Sequence, residues 1–222
     1  MGVIDFHTHC FPDALAERAV RHLSEEGDIR AWLPGTVSAL LESMDHAGIE
    51  RSVVASIATK PSQFDSIFAW SCAIASERIL PFPSIHPADE DCAARVRAVA
   101  EAGLRGVKLH PYYQNFDIDD RRLDPLYGAV AEAGLVLLMH AGFDMAFERI
   151  RRADPIRIVR VTERFPTLKI VAAHLGAWED WEEVERYIIG RPIYADLSYT
   201  LHEMPRDQAI RLITAHPPDR LL

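Results

Sequence analysis

Four glycines, Gly48, Gly103, Gly134 and Gly190, each fall just after a stretch with helical periodicity and just before a short β-rich run. Glycine closes a helix in the left-handed conformation at no steric cost, so the four mark repeated helix-to-strand junctions. They punctuate seven runs that read as strands, at 3–7, 51–57, 79–85, 106–110, 135–140, 168–174 and 192–197. Between them lie helical patterns. Val37, Leu40, Leu41 and Met44 share one face behind Thr36, a good N-cap, and 93–100, 126–133 and 184–188 behave alike. Strands that alternate with helices imply a parallel sheet built from βα units. The reading is therefore α/β, a (β/α)8 TIM barrel in one domain spanning 1–222, with no Gly/Ser-rich or Pro-rich linker to divide it. The sequence stops at Leu221-Leu222, and the barrel is expected to be truncated within its eighth strand. The stretch 11–34 is longer than a simple connection and is expected to hold an extra helix, near 14–25, over the mouth of the barrel.

Composition excludes several classes of function. A formal net charge of −9 with no block of five basic residues argues against a nucleic-acid surface. The three cysteines, Cys10, Cys72 and Cys92, are odd in number and lack C-x-x-C spacing, which disfavours a disulfide framework or a structural zinc knuckle. No basic leader precedes an apolar stretch, and nowhere do eighteen apolar residues run together, so the expectation is a cytoplasmic protein without a membrane partner. No phosphate-binding loop, G-x-S-x-G or dinucleotide G-x-G-x-x-G is present.

What remains is a histidine pattern. His7 and His9 stand two apart at the end of the first run, where strand alternation projects both to one face while Phe6 and Thr8 face away. Two imidazoles so placed form half of a tetrahedral metal site. In parallel barrels reactive side chains gather at the C-terminal strand ends. There Lys108 points inward, since Val107 and Leu109 suit the helix-facing side. Val136, Leu138 and His140 share a parity, as do Ile170, Ala172 and His174, while Tyr194 pairs with Asp196 and Ser84 with His86. Tyr112 and Tyr113 after the fourth strand, and Trp178 and Trp181 after the sixth, either line a pocket or pack on the helix shell.

These segments resemble the amidohydrolase superfamily, in the branch that contains aminocarboxymuconate semialdehyde decarboxylase and many metal-dependent hydrolases. The resemblance runs over Ile4-Asp5-Phe6-His7-Thr8-His9, Met44-Asp45-His46-Ala47-Gly48-Ile49, Gly106-Val107-Lys108-Leu109-His110-Pro111, Met139-His140-Ala141-Gly142, Ala173-His174-Leu175-Gly176 and Tyr194-Ala195-Asp196-Leu197-Ser198. It implies His7, His9 and His140 as ligands of one divalent metal, zinc by expectation, with His174 as an acid/base or orienting group. Lys108 either binds a substrate carboxylate as an ammonium or, carbamylated, bridges to a second metal. His86, His110, Tyr112 and Trp178 are expected to contact substrate. The family's eighth-strand aspartate has no counterpart here, and Asp196 matches the seventh strand instead, so the sequence as it stands is expected to be incomplete as a catalyst. The implied activity is hydrolysis of a small, carboxylated or cyclic amide, ester or lactone by a metal-activated water. The alternatives are non-oxidative decarboxylation of a muconate-like or aromatic acid, and a catalytically inactive barrel. A small-molecule substrate and a possible homodimer complete the expectation.

Overall fold

A computed structural model describes residues 2–222. Its framework is β1 (Val3–Thr8), β2 (Ile49–Ala55), β3 (Ile79–Phe82), β4 (Gly106–Leu109), β5 (Val136–Met139), β6 (Lys169–Ala172) and β7 (Tyr194–Ala195). The strands pair in chain order, β1-β2-β3 and β4-β5-β6-β7, and every pairing is parallel. A parallel bridge from Ser84 to Lys108 joins the two sheets, and Leu221 makes a further parallel bridge to Ala195 beside β7. The returning helices are α1 (Asp13–Gly27), α2 (Val37–Ala47), α3 (Phe64–Ile74), α4 (Cys92–Glu101), α5 (Asp124–Glu132), α6 (Pro155–Arg164), α7 (Trp181–Tyr187) and α8 (Arg206–Ala215). This is the winding of a TIM barrel. Each strand expected from the sequence is present, shifted by at most a few residues at its ends, and α1 is the extra helix expected within 11–34. No helix among the described residues is long and apolar enough to cross a membrane.

Local chemistry accounts for the junctions. Thr36 caps α2 by accepting the Ala39 N–H at 3.2 Å, and α2 then buries Leu40 and Met44 against the sheet. The four junction glycines all have positive φ, between 66° and 80°. A Cβ at any of them would meet no atom within 4 Å, so backbone conformation alone selects glycine there.

The strands separate two apolar layers, as their twofold alternation requires. Val107, Leu109, Leu137, Met139, Ile170 and Ala172 pack outward against the helices, while Val53, Ala55, Phe82, Leu138, Val171 and Ala173 pack on the inner side. Two expectations about parity are corrected. Phe6 does not face away but packs within the inner cluster, edge-on to Phe82, because a register shift between Asp5 and Thr8 breaks the alternation of β1. In β6 it is Val171 and Ala173 that face inward, not Ile170 and Ala172. His174 departs from the strand pattern where the chain leaves β6, with φ of 60° at His174 and 56° at Leu175.

Gly142, just beyond β5, is held between its own loop, through Ala153, and the loop that follows β6, through Trp178. Its N–H donates to Ala153 O at 2.9 Å, Phe143 N–H to Trp178 O at 3.0 Å, and Trp178 N–H to Ala141 O at 2.9 Å. Gly142 has φ of 86°, and a Cβ there would lie 2.1 Å from Trp178 N. Gly142→Ala is therefore expected to cost about 3 kcal/mol, from left-handed strain plus overpacking. A melting temperature within a degree of the parent's would contradict this.

Candidate metal centre

At the C-terminal ends of the strands, four imidazoles from β1, β5 and β6 and one lysine from β4 face a common space. Their outer nitrogens are all engaged. His7 Nδ1 lies 3.0 Å from Asp196 Oδ2, and His9 Nδ1 lies 2.8 Å from Ala55 O. His174 Nδ1 lies 2.9 Å from Ser198 O, and His140 Nε2 lies 3.0 Å from Phe143 O. Each acceptor draws the ring proton outward and leaves the opposite nitrogen as a lone pair. Those inner nitrogens are close to one another: His7 Nε2 is 3.2 Å from Lys108 Nζ, and His174 Nε2 is 3.2 Å from His140 Nδ1. The rings of His7 and His174 stack at 5.2 Å between centroids, and His9 sits 5.1 Å from His7 with its ring open to the cavity.

Electrostatics keeps these rings neutral, the state in which imidazole binds metal. Burial, with Lys108 adding to it, lowers the pKa of His7 in spite of Asp196. Burial beside other basic groups puts His9 and His140 well below the ordinary value, and brings His174 down to about 4. Lys108 is completely buried, and the loss of water around its amine drops its pKa to about 7, although Asp196 and Asp144 both pull the other way.

Asp196 orients this set. Burial acts to raise its pKa, but the neighbouring His7 and the hydrogen bonds from His7 and Ser198 prevail, leaving it well below the usual carboxylate range. One oxygen takes the His7 ring, and the other accepts from the backbone N–H groups of His174 and Ser198, at 3.1 and 3.0 Å, and from the Ser198 hydroxyl. Asp196→Asn is expected to weaken divalent-metal affinity by about 10- to 100-fold through loss of His7 orientation. Unchanged affinity in a competition titration with a chelating dye would rule out that role.

Two triads bring ligand-type atoms within 4.8 Å of one another, His7 with His174 and Asp196, and His110 with His140 and Asp144. The first uses the outer side of His7, where Asp196 is already committed to hydrogen bonds. Neither triad includes His9: among the described residues the expected ligands His7, His9 and His140 are not brought within that distance as one group, although all three, with His174 and Lys108, line the same cavity. In the second triad His110 Nε2 lies 3.3 Å from Asp144 Oδ2, and the His110 ring stacks on His140 at 4.0 Å between centroids.

The other expected residues divide. His110, Tyr112 and Trp178 line the cavity above the histidines. The Tyr112 hydroxyl, however, donates to Ile150 O at 2.7 Å and Gly142 O at 3.2 Å, so it offers a ring rather than a free polar group. His86 is corrected: it is outside the cavity lining, and its Nδ1 accepts the Ala88 N–H at 3.1 Å. Beyond the strand end nothing fixes its parity. Asp144 and Ser198 were not expected. The signals were H-x-x-x-D from His140 to Asp144 and D-x-S from Asp196 to Ser198, both too short and too common to stand out in a sequence.

Comparison with known proteins places this geometry in context. Dihydroorotase of Azotobacter vinelandii is 33% identical over 121 residues, covering 50% of this chain and 35% of the relative, so the chain spans about a third of the length of such curated relatives. Among solved structures, an uncharacterized TIM-barrel protein from Bordetella bronchiseptica superposes with a TM-score of 0.78 at 24% identity, covering 100% of this chain and 84% of that one. The 5-carboxyvanillate decarboxylase of Sphingomonas paucimobilis gives 0.67 at 14% identity, covering 100% and 87%. These likenesses concern the fold. The sequence profile of the amidohydrolase family matches residues 4–222, a span that takes in the His-x-His strand, Lys108 and both later histidines, and the chain belongs to that family.

Proposed function

We propose that the protein is a divalent-metal-dependent hydrolase acting on a small, carboxylated or cyclic amide, ester or lactone. The observation that carries this reading is the position of Lys108. Its Nζ is buried, 3.2 Å from His7 Nε2, and near enough to Asp196 and Asp144 for both carboxylates to favour its charged form. A lysine whose amine is partly neutral near pH 7 can take up carbon dioxide: the amine nitrogen forms a bond to carbon and releases a proton, giving an anionic carbamate with two oxygens. That product matches the number of neutral imidazoles facing it far better than a buried ammonium would.

A bound divalent cation supplies polarisation of a substrate carbonyl and a more acidic water. The remaining steps fall to the chain's own residues. Asp196, through His7 Nδ1, and Ser198, through His174 Nδ1, fix the orientation of two rings. His110, held toward Asp144, and the Trp178 ring line the approach and limit which faces of a substrate can reach Lys108.

The partial similarity to dihydroorotases supports ring opening by hydrolysis, whereas an ammonium at Lys108 binding a carboxylate supports the second reading, decarboxylation. Incubation of the metal-supplemented protein with carboxylated lactones, cyclic amides and hydroxybenzoates in 18O-labelled water separates them. Incorporation of 18O into a carboxyl product, with no carbon dioxide released, is the expected outcome. Release of carbon dioxide without label in the organic product would replace the hydrolase reading with the carboxy-lyase one.

A further inference from the structure

The cavity above the histidines has a volume of about 1050 Å3, at the top of the roughly 300–1,000 Å3 range of sites for drug-sized ligands. A single-ring acid seated at Lys108 would leave its outer part unfilled. The walls of that outer part come from three separate elements: Leu15, Ala19 and Leu23 on α1, Trp70 on α3, and Met145 and Phe147 in the loop after β5.

Helix α1 is unusual in what it does with its apolar residues. Leu15, Ala19 and Leu23 recur every four residues and so share one face. A stripe of this kind ordinarily packs into the core, yet Ala16 is the buried residue of α1, and Leu15 remains 43% exposed. The stripe faces the cavity instead. At its end α1 comes close to the loop after β5, since a Cβ on Gly27 would lie 3.2 Å from Met145 Sδ.

Few of the residues lining the cavity are charged. Lys108 and Asp144 lie with the histidines, and His22 and Glu26 lie on α1 with their side chains 3.4 Å apart, 67% and 39% exposed. The other wall residues are mainly apolar, with Ser56, Thr59, Gln63 and Ser66 among them.

We propose that this outer chamber is a subsite for an uncharged aryl or alkyl arm, one ring or longer, carried by the substrate beyond its reacting group. The assignment of the reacting end rests on the function proposed above; the apolar chamber rests on α1, α3 and the loop alone. Glu26 on α1 sets a polarity as well, because an arm tipped with a second carboxylate would meet a like charge.

The test is a set of equilibrium titrations, by calorimetry, on the full chain. The ligands are benzoate, 4-biphenylcarboxylate and biphenyl-4,4′-dicarboxylate, together with benzamide and 4-phenylbenzamide. Burial of the second ring is expected to make 4-biphenylcarboxylate bind about 30-fold more tightly than benzoate. The dicarboxylate should lose about threefold of that gain. Leu15 is exposed and Leu23 half-buried in the cavity wall, and Leu15→Ser and Leu23→Ser should each cut the biphenyl affinity about fivefold while leaving benzoate unchanged. The two amides repeat the comparison with a neutral head, so a failure of carboxylate recognition at the inner end does not hide the arm.

Equal affinity with and without the second ring in both series overturns the subsite, as does absence of binding by any of the five ligands. Equal losses for short and long ligands in the leucine variants also overturn it. Metal content and turnover are not read in these titrations. A protein that gains affinity from the arm but hydrolyses nothing would lose the proposed reaction and keep the subsite.

Discussion

Replacement of both His7 and His9 by alanine is expected to abolish tight divalent-metal binding and to lower turnover by about 1,000-fold or more, the scale of effect when a principal electrostatic group is removed from a reacting centre. The two rings come from one strand end, 5.1 Å apart between centroids, and are two of the four imidazoles facing the common space. The fold should survive. Without the His7 ring, Asp196 still accepts from His174 N–H, Ser198 N–H and the Ser198 hydroxyl, so its carboxylate is not left buried without partners. His9 gives up a single hydrogen bond to Ala55 O. Elemental analysis after exhaustive dialysis, beside a thermal melt, checks the expectation. Full metal content in the double variant would place the cation elsewhere.

Lys108→Met should separate stability from chemistry. Lysine at this position is completely buried and loses its water on folding, a cost that an apolar side chain of nearly equal length does not bear. The variant is therefore expected to melt at the same temperature or higher, while turnover falls by about 100- to 1,000-fold. A second readout addresses the carbamate directly. Protein equilibrated with 13C-bicarbonate should show one carbamate carbon resonance that the Met variant lacks. Unchanged turnover in Lys108→Met would remove Lys108 from the chemistry, and loss of activity without a carbamate signal in the parent would favour the ammonium reading.

The sequence disclosed what depends on near neighbours. Gly48, Gly103, Gly134 and Gly190 were legible because a left-handed helix end is a property of one residue and its own turn, and Thr36 because a cap reaches only to Ala39. Strand and helix periods gave the parallel βα winding for the same reason, since burial of one face imposes its repeat on consecutive residues. The inward direction of Lys108 followed from Val107 and Leu109, its immediate neighbours.

The centre itself joins residues that are remote in the chain. His7 meets Lys108 across 101 positions and Asp196 across 189, and His140 meets His174 across 34. Alternation along a strand cannot report such meetings, and it misleads wherever the backbone departs from it. It did so at Phe6, turned inward by the β1 bulge, and at β6, whose parity the left-handed residues His174 and Leu175 interrupt. His86 shows the same limit, since past the end of β3 no periodicity governs where a ring points. The role of Asp196 as the partner of His7, and the use of α1's apolar stripe to line a cavity rather than a core, were settled only by packing. A side chain's chemistry is written in the sequence, but its partner is chosen by which distant surfaces the parallel strands and their loops bring within hydrogen-bond reach.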